Sequence, residues 1–147
     1  MTLPYETASS GDRALAEAQR VLARFGVQTF GAMTDYEREC VVVQFRYGGR
    51  QIHMEASIKG YAEAYHRAHP YRRGRLRITE DQYRVRVLGI ARHAVCSILR
   101  DWIKGQMTAI ETGVFSFEAA FLGQIMLPSG VTIGQHAVAQ KLLGGGS

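Results

Sequence analysis

The feature that most constrains this chain is a pair of glycines between two alternating runs. Gly48-Gly49 separates Cys40 to Tyr47 (CVVVQFRY) from Arg50 to Ser57 (RQIHMEAS). Both central positions of a two-residue hairpin turn take positive φ, which glycine adopts without a Cβ clash. Such a turn pairs Tyr47 with Arg50, then Phe45 with Ile52, Val43 with Met54 and Val41 with Ala56. After the first pair, one face is apolar on both strands and can cover a core. The opposite face carries Arg46 with Gln51, Gln44 with His53, and Val42 with Glu55. Turn chemistry and alternation specify the same register independently.

Helical signals surround the hairpin. Asp12 to Phe25 predicts a first helix, with Asp12 as cap, Leu15, Ala18, Leu22 and Phe25 at helical spacing, and Gly26 at C′. Val27 to Ala32 reads as a short strand and Thr34 to Arg38 as a polar loop. Ile58 to His69 predicts a helix ended by Pro70, because the residue before proline avoids the α region. Thr79 and Gln82 form a capping-box pattern that opens the longest element. Val87, Ala91, Ala94, Val95, Ile98, Leu99 and Trp102 fall on one side of it, and Arg86, His93, Arg100 and Lys104 on the other. Gly105 is expected to interrupt this helix and Gly113 to end its continuation. Ser116 can cap a helix from Phe117 to about Met126, Leu127 to Gly130 reads as a turn, and Gly134 to Leu143 as a last helix. The fold class is α+β: a small antiparallel sheet, the hairpin with room for a third strand, packed with several helices. Residues 1–143 are expected to be one domain, and Gly144 to Ser147 an appended glycine/serine linker.

Composition excludes several classes. At 147 residues the chain suits one domain, and 46% hydrophobic with 21% charged residues suits a globular one. No apolar run approaches the roughly 18 residues a membrane span needs. The start of the chain lacks the pattern of a signal peptide, so a cytoplasmic protein is expected. Cys40 and Cys96, the two cysteines, sit inside apolar runs, which argues against a disulfide scaffold or a zinc cluster. The sequence contains no glycine-rich phosphate loop, G-x-S-x-G or H-E-x-x-H, and no catalytic residue, cofactor or metal is assigned.

Charge is concentrated instead. Lys plus Arg is 18 against 13 Asp plus Glu, a formal +5. The segment His66 to Arg77 (HRAHPYRRGRLR) holds Arg67, Arg72, Arg73, Arg75 and Arg77 and no acid. Without those five, basic and acidic residues balance, so the net charge belongs to this segment. Guanidinium groups bind phosphate bidentately and stay charged at every relevant pH. Tyr71 among them can stack on an exposed base. These six residues form the candidate nucleic-acid site, which Arg86 and Lys104 would extend along the long helix. The plainer explanation is a solvated loop whose arginines pair with Glu80 and Asp81, below a helix that turns its charges to water.

Other residues offer less. His66 and His69 have three-residue spacing that could share a metal, with no further ligand nearby in sequence. His53 beside Glu55 could transfer a proton, or make only a hydrogen bond. Trp102, Ile103, Val114, Phe115, Phe117, Phe121, Leu122 and Ile125 supply mostly core, and any remainder would be a protein-binding or dimer surface.

Three resemblances extend this reading. The α-β-β-β-α order resembles double-stranded-RNA-binding domains, with Lys59 as the basic helix start, although that family's paired lysines are absent. The same order resembles the core of restriction-type nucleases. That likeness implies a magnesium site at Glu55 with Asp35, Glu39 or Glu17, but Ser57 stands where its lysine belongs. Ala94 to Leu122 (AVCSILRDWIKGQMTAIETGVFSFEAAFL) is similar to small uncharacterised proteins of phages and prophages, which implies a setting of nucleic-acid handling or host inhibition. The expectation is a non-enzymatic protein whose partner is DNA, RNA or a nucleoprotein complex. A phage-type inhibitor or adaptor on a host protein is the alternative, and a Glu55-centred nuclease the second alternative. No membrane partner is expected, and a homodimer is compatible with the apolar surplus.

Overall fold

The hairpin forms in the register its turn requires. In the computed structural model, which describes residues 2–75 and 77–144, Gly48 and Gly49 have φ of 58° and 77°. They join β2 (Cys40–Tyr47) to β3 (Arg50–Ser57), with Phe45 opposite Ile52, Val43 opposite Met54 and Val41 opposite Ala56. All of these but Ala56 are buried. A third strand, β1 (Thr29–Asp35), pairs antiparallel with β2, giving the sheet order β1-β2-β3. β1 starts later than Val27 and runs through Thr34 and Asp35, which the sequence suggested were loop. The reason is local: Asp35 Oδ1 accepts the N–H groups of Glu37 and Arg38, both at 3.0 Å, so the turn begins only after Asp35.

Five helices complete the α+β fold among the described residues: α1 (Gly11–Arg24), α2 (Ile58–Ala68), α3 (Glu80–Glu111), α4 (Phe117–Phe121) and α5 (Ile133–Ala139). Ser10, not Asp12, caps α1 by accepting the Arg13 N–H. Ser57 caps α2, and Thr79 with Gln82 closes the expected capping box on α3. Gly26 and Gly113 follow the ends of α1 and α3 with positive φ. Gly145 to Ser147, most of the expected linker, lie outside the described residues.

α3 is the central element. It packs against α1, α2, α4 and the hairpin, and Ala94, Val95, Cys96 and Ser97 are buried consecutively. Four successive buried residues mean that the helix is enclosed on nearly every side there. The buried stripe advances in steps of four (Val87, Ala91, Val95, Leu99, Ile103, Met107), so it winds slowly around the helix. Ile98, expected in that stripe, lies one position off it and is 37% exposed. Gly105 does not interrupt the helix, because buried Ile103 and Met107 hold both sides of it in place. α1 approaches so closely that a Cβ on Gly11 would sit 3.1 Å from Cys96 Sγ.

The last third is shorter in helix than expected. α4 ends at Phe121, and a single 3-10 turn, Leu122–Gln124, follows it. Ile125 then bridges Ile52 and the Met126 N–H donates to Gln51 O at 2.8 Å. The backbone groups that a longer helix would use are thus spent on the edge of β3. Phe121 fixes this corner, with its ring 5.5 Å from both Phe45 and Trp102 and 5.1 Å from Phe117. Phe121→Ala should cost about 3–5 kcal/mol of folding free energy. Urea unfolding followed by the fluorescence of Trp102, the single tryptophan, would measure it, and a loss below about 1 kcal/mol would contradict this account of the corner.

Candidate nucleic-acid interface

Two tyrosines pin the segment that joins α2 to α3. The Tyr83 hydroxyl, at the start of α3, donates to the carbonyl of His69, the C-cap of α2. The Tyr71 hydroxyl donates to Ile78 O at 2.9 Å. Their rings lie 5.7 Å apart, and His66 meets Tyr83 edge-on at 5.6 Å. On the far side of α2, His69 stacks on Tyr65 at 4.6 Å and its Nε2 contacts Glu6 Oε2 at 2.9 Å. His66 and His69 are therefore committed to different neighbours and do not converge as a metal pair.

Between these anchors the chain makes a tight turn in which the Arg75 N–H donates to Arg72 O at 3.1 Å. Gly74, at φ 86°, supplies the positive φ that a type II turn needs at its third position. Arg67, Arg72, Arg73, Arg75 and Arg77 are all exposed, and among the described residues none lies within ion-pair distance of a carboxylate. The pairing with Glu80 and Asp81 that would have made this a neutral loop is not formed. Asp81 meets Arg84 instead, at 3.6 Å.

Beside the turn lies a cleft of about 570 Å³, lined by His66, Tyr71, Tyr83, Glu80, Asp81 and Arg84. Burial pushes the Tyr83 hydroxyl pKa up, so it remains a proton donor at neutral pH. Tyr83 and Arg84 were not singled out in the sequence, and His66 only as half of a possible metal pair with His69. Tyr83 stands four residues before Val87, so extending the apolar stripe by one turn is the signal that could have found it.

The expected extension along α3 is only partly present. Arg86 is exposed and close enough to Tyr83 for its charge to oppose the effect of burial there. Lys104 is about five turns further on, roughly 27 Å, and its Nζ holds Glu17 Oε1 at 3.0 Å. Arg100 binds Asp101 at 2.9 Å and reaches Glu17 at 3.7 Å. His93 Nδ1 accepts the Gly11 N–H at 2.8 Å. Three of the four polar residues on that stripe therefore tie α3 to its surroundings, two of them to α1, and the structure does not bring Lys104 to the arginine segment.

A second polar cluster spans the uncovered sheet face. Arg38 grips Glu55 through both guanidinium ends, at 3.1 and 2.7 Å. His53 Nε2 donates to Glu55 Oε1 at 3.0 Å, while Gln44 Nε2 donates to His53 Nδ1 at 2.7 Å. Both ring nitrogens of His53 therefore have hydrogen-bond partners within the cluster. Glu17 is committed to α3 and Asp35 to its turn, so these acids do not gather around Glu55. Among the described residues, no three His, Cys, Asp or Glu side chains could hold one metal ion. Burial raises the pKa of the Cys40 and Cys96 thiols, which keeps them neutral packing groups. No protein-family model, curated protein or solved structure matches this chain.

The same pairs make stability depend on acid. Arg38 holds Glu55 below its ordinary 4.5, Arg92 holds Asp12 below 3.8, and Lys104 holds Glu17 below 4.5. Asp101 is lowered by Arg100, and Glu6 by the Leu3 N–H. A carboxylate with a depressed folded pKa stabilises the fold fully above its unfolded value and ceases to do so as pH falls through the folded one. Urea midpoints should therefore be level near neutrality and fall on acidification below about pH 4.5. Glu55→Gln should be less stable than wild type at neutral pH, with the gap closing in acid. A gap that stayed constant across that window would show the Arg38 pair contributes nothing.

Proposed function

We propose that this chain is a non-enzymatic accessory protein that binds nucleic acid, or a nucleoprotein complex, through phosphate contacts from Arg67, Arg72, Arg73, Arg75 and Arg77. The observation that carries this reading is the display of five exposed, unneutralised guanidinium groups on a segment pinned at both ends. Pinning lowers the ordering cost of binding, and clustered positive charge attracts a polyanion. Such contacts go to the backbone and carry little sequence information, so binding is weakly specific.

Fluorescence anisotropy of labelled DNA and RNA across a salt series tests it. Affinity should fall steeply with salt, since each phosphate neutralised contributes about 0.7 (single strand) to 0.9 (duplex) to the log–log slope. Changing Arg72, Arg73, Arg75 and Arg77 together to Ala should make that slope shallower by roughly 3 to 4, while the thermal midpoint barely moves because all four side chains are exposed. No binding at about 50 mM salt, or binding indifferent to the four substitutions, would sink the proposal.

A second reading, a phage-type inhibitor or adaptor for a host protein, is favoured by apolar side chains that the last helices leave uncovered. Val114, Phe115 and Leu122 are each more than half exposed. A stoichiometric protein complex that survives nuclease treatment and is lost in Phe115→Asp would support it over the first.

A further inference from the structure

Resting on the phosphate contacts proposed above, we infer that the cleft between the ends of α2 and α3 holds an unpaired nucleobase, so that the ligand is a single strand. The rings of His66 and Tyr71 stand over Tyr83, which forms the floor. At about 570 Å³ the cleft falls in the size range of small-ligand pockets. Both tyrosine hydroxyls are already donated to backbone carbonyls, of His69 and Ile78. The rings are therefore locked in position; Tyr83 is buried, so the aromatic surface still open to a ligand is that of the half-buried Tyr71 and His66. Flat, neutral, aromatic groups fit that offer, and base–aromatic stacking tolerates any base.

The carboxylates narrow the choice further. Glu80 and Asp81 line the same cleft. Asp81 already pairs with Arg84, which lines the cleft too, so a phosphate there would face a net negative charge from Glu80, whereas a base is neutral and its N–H groups can donate to a carboxylate. Phosphates are left to the arginines just outside, since Arg67 follows His66 in the chain and Arg72 follows Tyr71. Base inside and phosphates outside is an arrangement a single strand can meet directly. In a duplex the bases are paired and stacked, and one would have to be extruded first.

The central comparison is among single strands that differ in their bases and not in their charge, with a duplex as the paired reference. Anisotropy at about 50 mM salt would be measured for labelled oligothymidylate, oligouridylate, an abasic deoxyribose-phosphate strand of the same length, and a dA·dT duplex. The two base-bearing strands should bind about five- to a hundredfold tighter than the abasic strand. The tighter of the two would show whether DNA or RNA is the source of the base. Tyr71→Leu should erase that advantage, and because it loses the same hydroxyl pin to Ile78 as Tyr71→Phe, the two variants should bind duplex equally. Tyr71→Phe, which keeps the ring and loses only the hydroxyl, should retain it. Equal binding of abasic and base-bearing strands overturns the inference while leaving the arginine reading intact. Uniform weakening of every ligand by Tyr71→Leu relative to Tyr71→Phe also overturns it, because the Tyr71 ring would then only shape the turn. If nothing binds, the arginine reading fails and this inference fails with it. The abasic comparison uses the unaltered protein, so it stands even if a variant does not fold.

Discussion

The enclosure of α3 at Ala94–Ser97 is the constraint on which the rest of the arrangement depends. A helix buried nearly all round must have packing partners on opposed sides, and here they are α1 and the apolar face of the hairpin, joined in one core. Gly11 permits the close approach of α1, and His93 accepts the Gly11 N–H, so the first turn of α1 is fixed against the middle of α3. With its middle enclosed, α3 has two free ends. The C-terminal end is covered by the aromatic corner of Phe117 and Phe121. The N-terminal end projects beside α2, and Tyr83 closes that junction by bonding to His69. The connector between α2 and α3 must therefore cross the exposed end of the core, where its arginines have water on one side and tyrosines on the other.

Ion pairing takes up part of the positive charge elsewhere on the molecule and leaves the arginine segment conspicuous. Arg38, Arg50, Arg92, Arg100 and Lys104 each have a carboxylate within 4 Å, contributed by Glu55, Glu118, Asp12, Glu17 and Asp101. Several of these pairs join one element to another: Arg92 to Asp12 and Lys104 to Glu17 tie α3 to α1, and Arg50 to Glu118 ties β3 to α4. Exposed pairs of this kind add little stability singly. Their larger effect is on the field, because acids engaged in joints elsewhere are not at hand to neutralise the segment around Arg72. A formal charge of +5 spread evenly would be a weak attractant; the same charge on one turn is a local one.

How much of this was legible in the sequence follows from the range of the forces involved. The hairpin register was readable pair by pair, because the two glycines and the alternation are local signals that agree. The Thr79–Gln82 box and the glycines after α1 and α3 were readable for the same reason: a cap and its partner lie within one turn. Ser10 displaced Asp12 as the cap of α1 because Asp12 has a distant partner, Arg92, with which it pairs at 2.7 Å. The shortened α4 was not readable either, since the chain leaves the helix to pair with β3, a contact between residues far apart in sequence. At the candidate site, composition alone marked the arginines. The cleft beside them was invisible, because His66, Tyr71 and Tyr83 meet only when α2 and α3 are folded against each other.

On the reading proposed above, the two surfaces at this end of the molecule would divide the labour of binding a single strand according to their chemistry. Arginines on an exposed turn supply attraction that is long-ranged, sensitive to salt and nearly blind to sequence. They cannot by themselves tell a duplex from a single strand, since both present phosphates. Tyrosines whose hydroxyls are tied to the backbone supply the complementary property: contact that is short-ranged, insensitive to salt and open only to a group that is flat and unpaired. Carboxylates at the rim, which weaken any purely electrostatic site, sharpen this contrast by making the cleft hostile to the very group the arginines attract. Glu80 and Asp81 would be liabilities in a simple phosphate-binding loop. Beside an aromatic floor, they keep the two ligand chemistries apart.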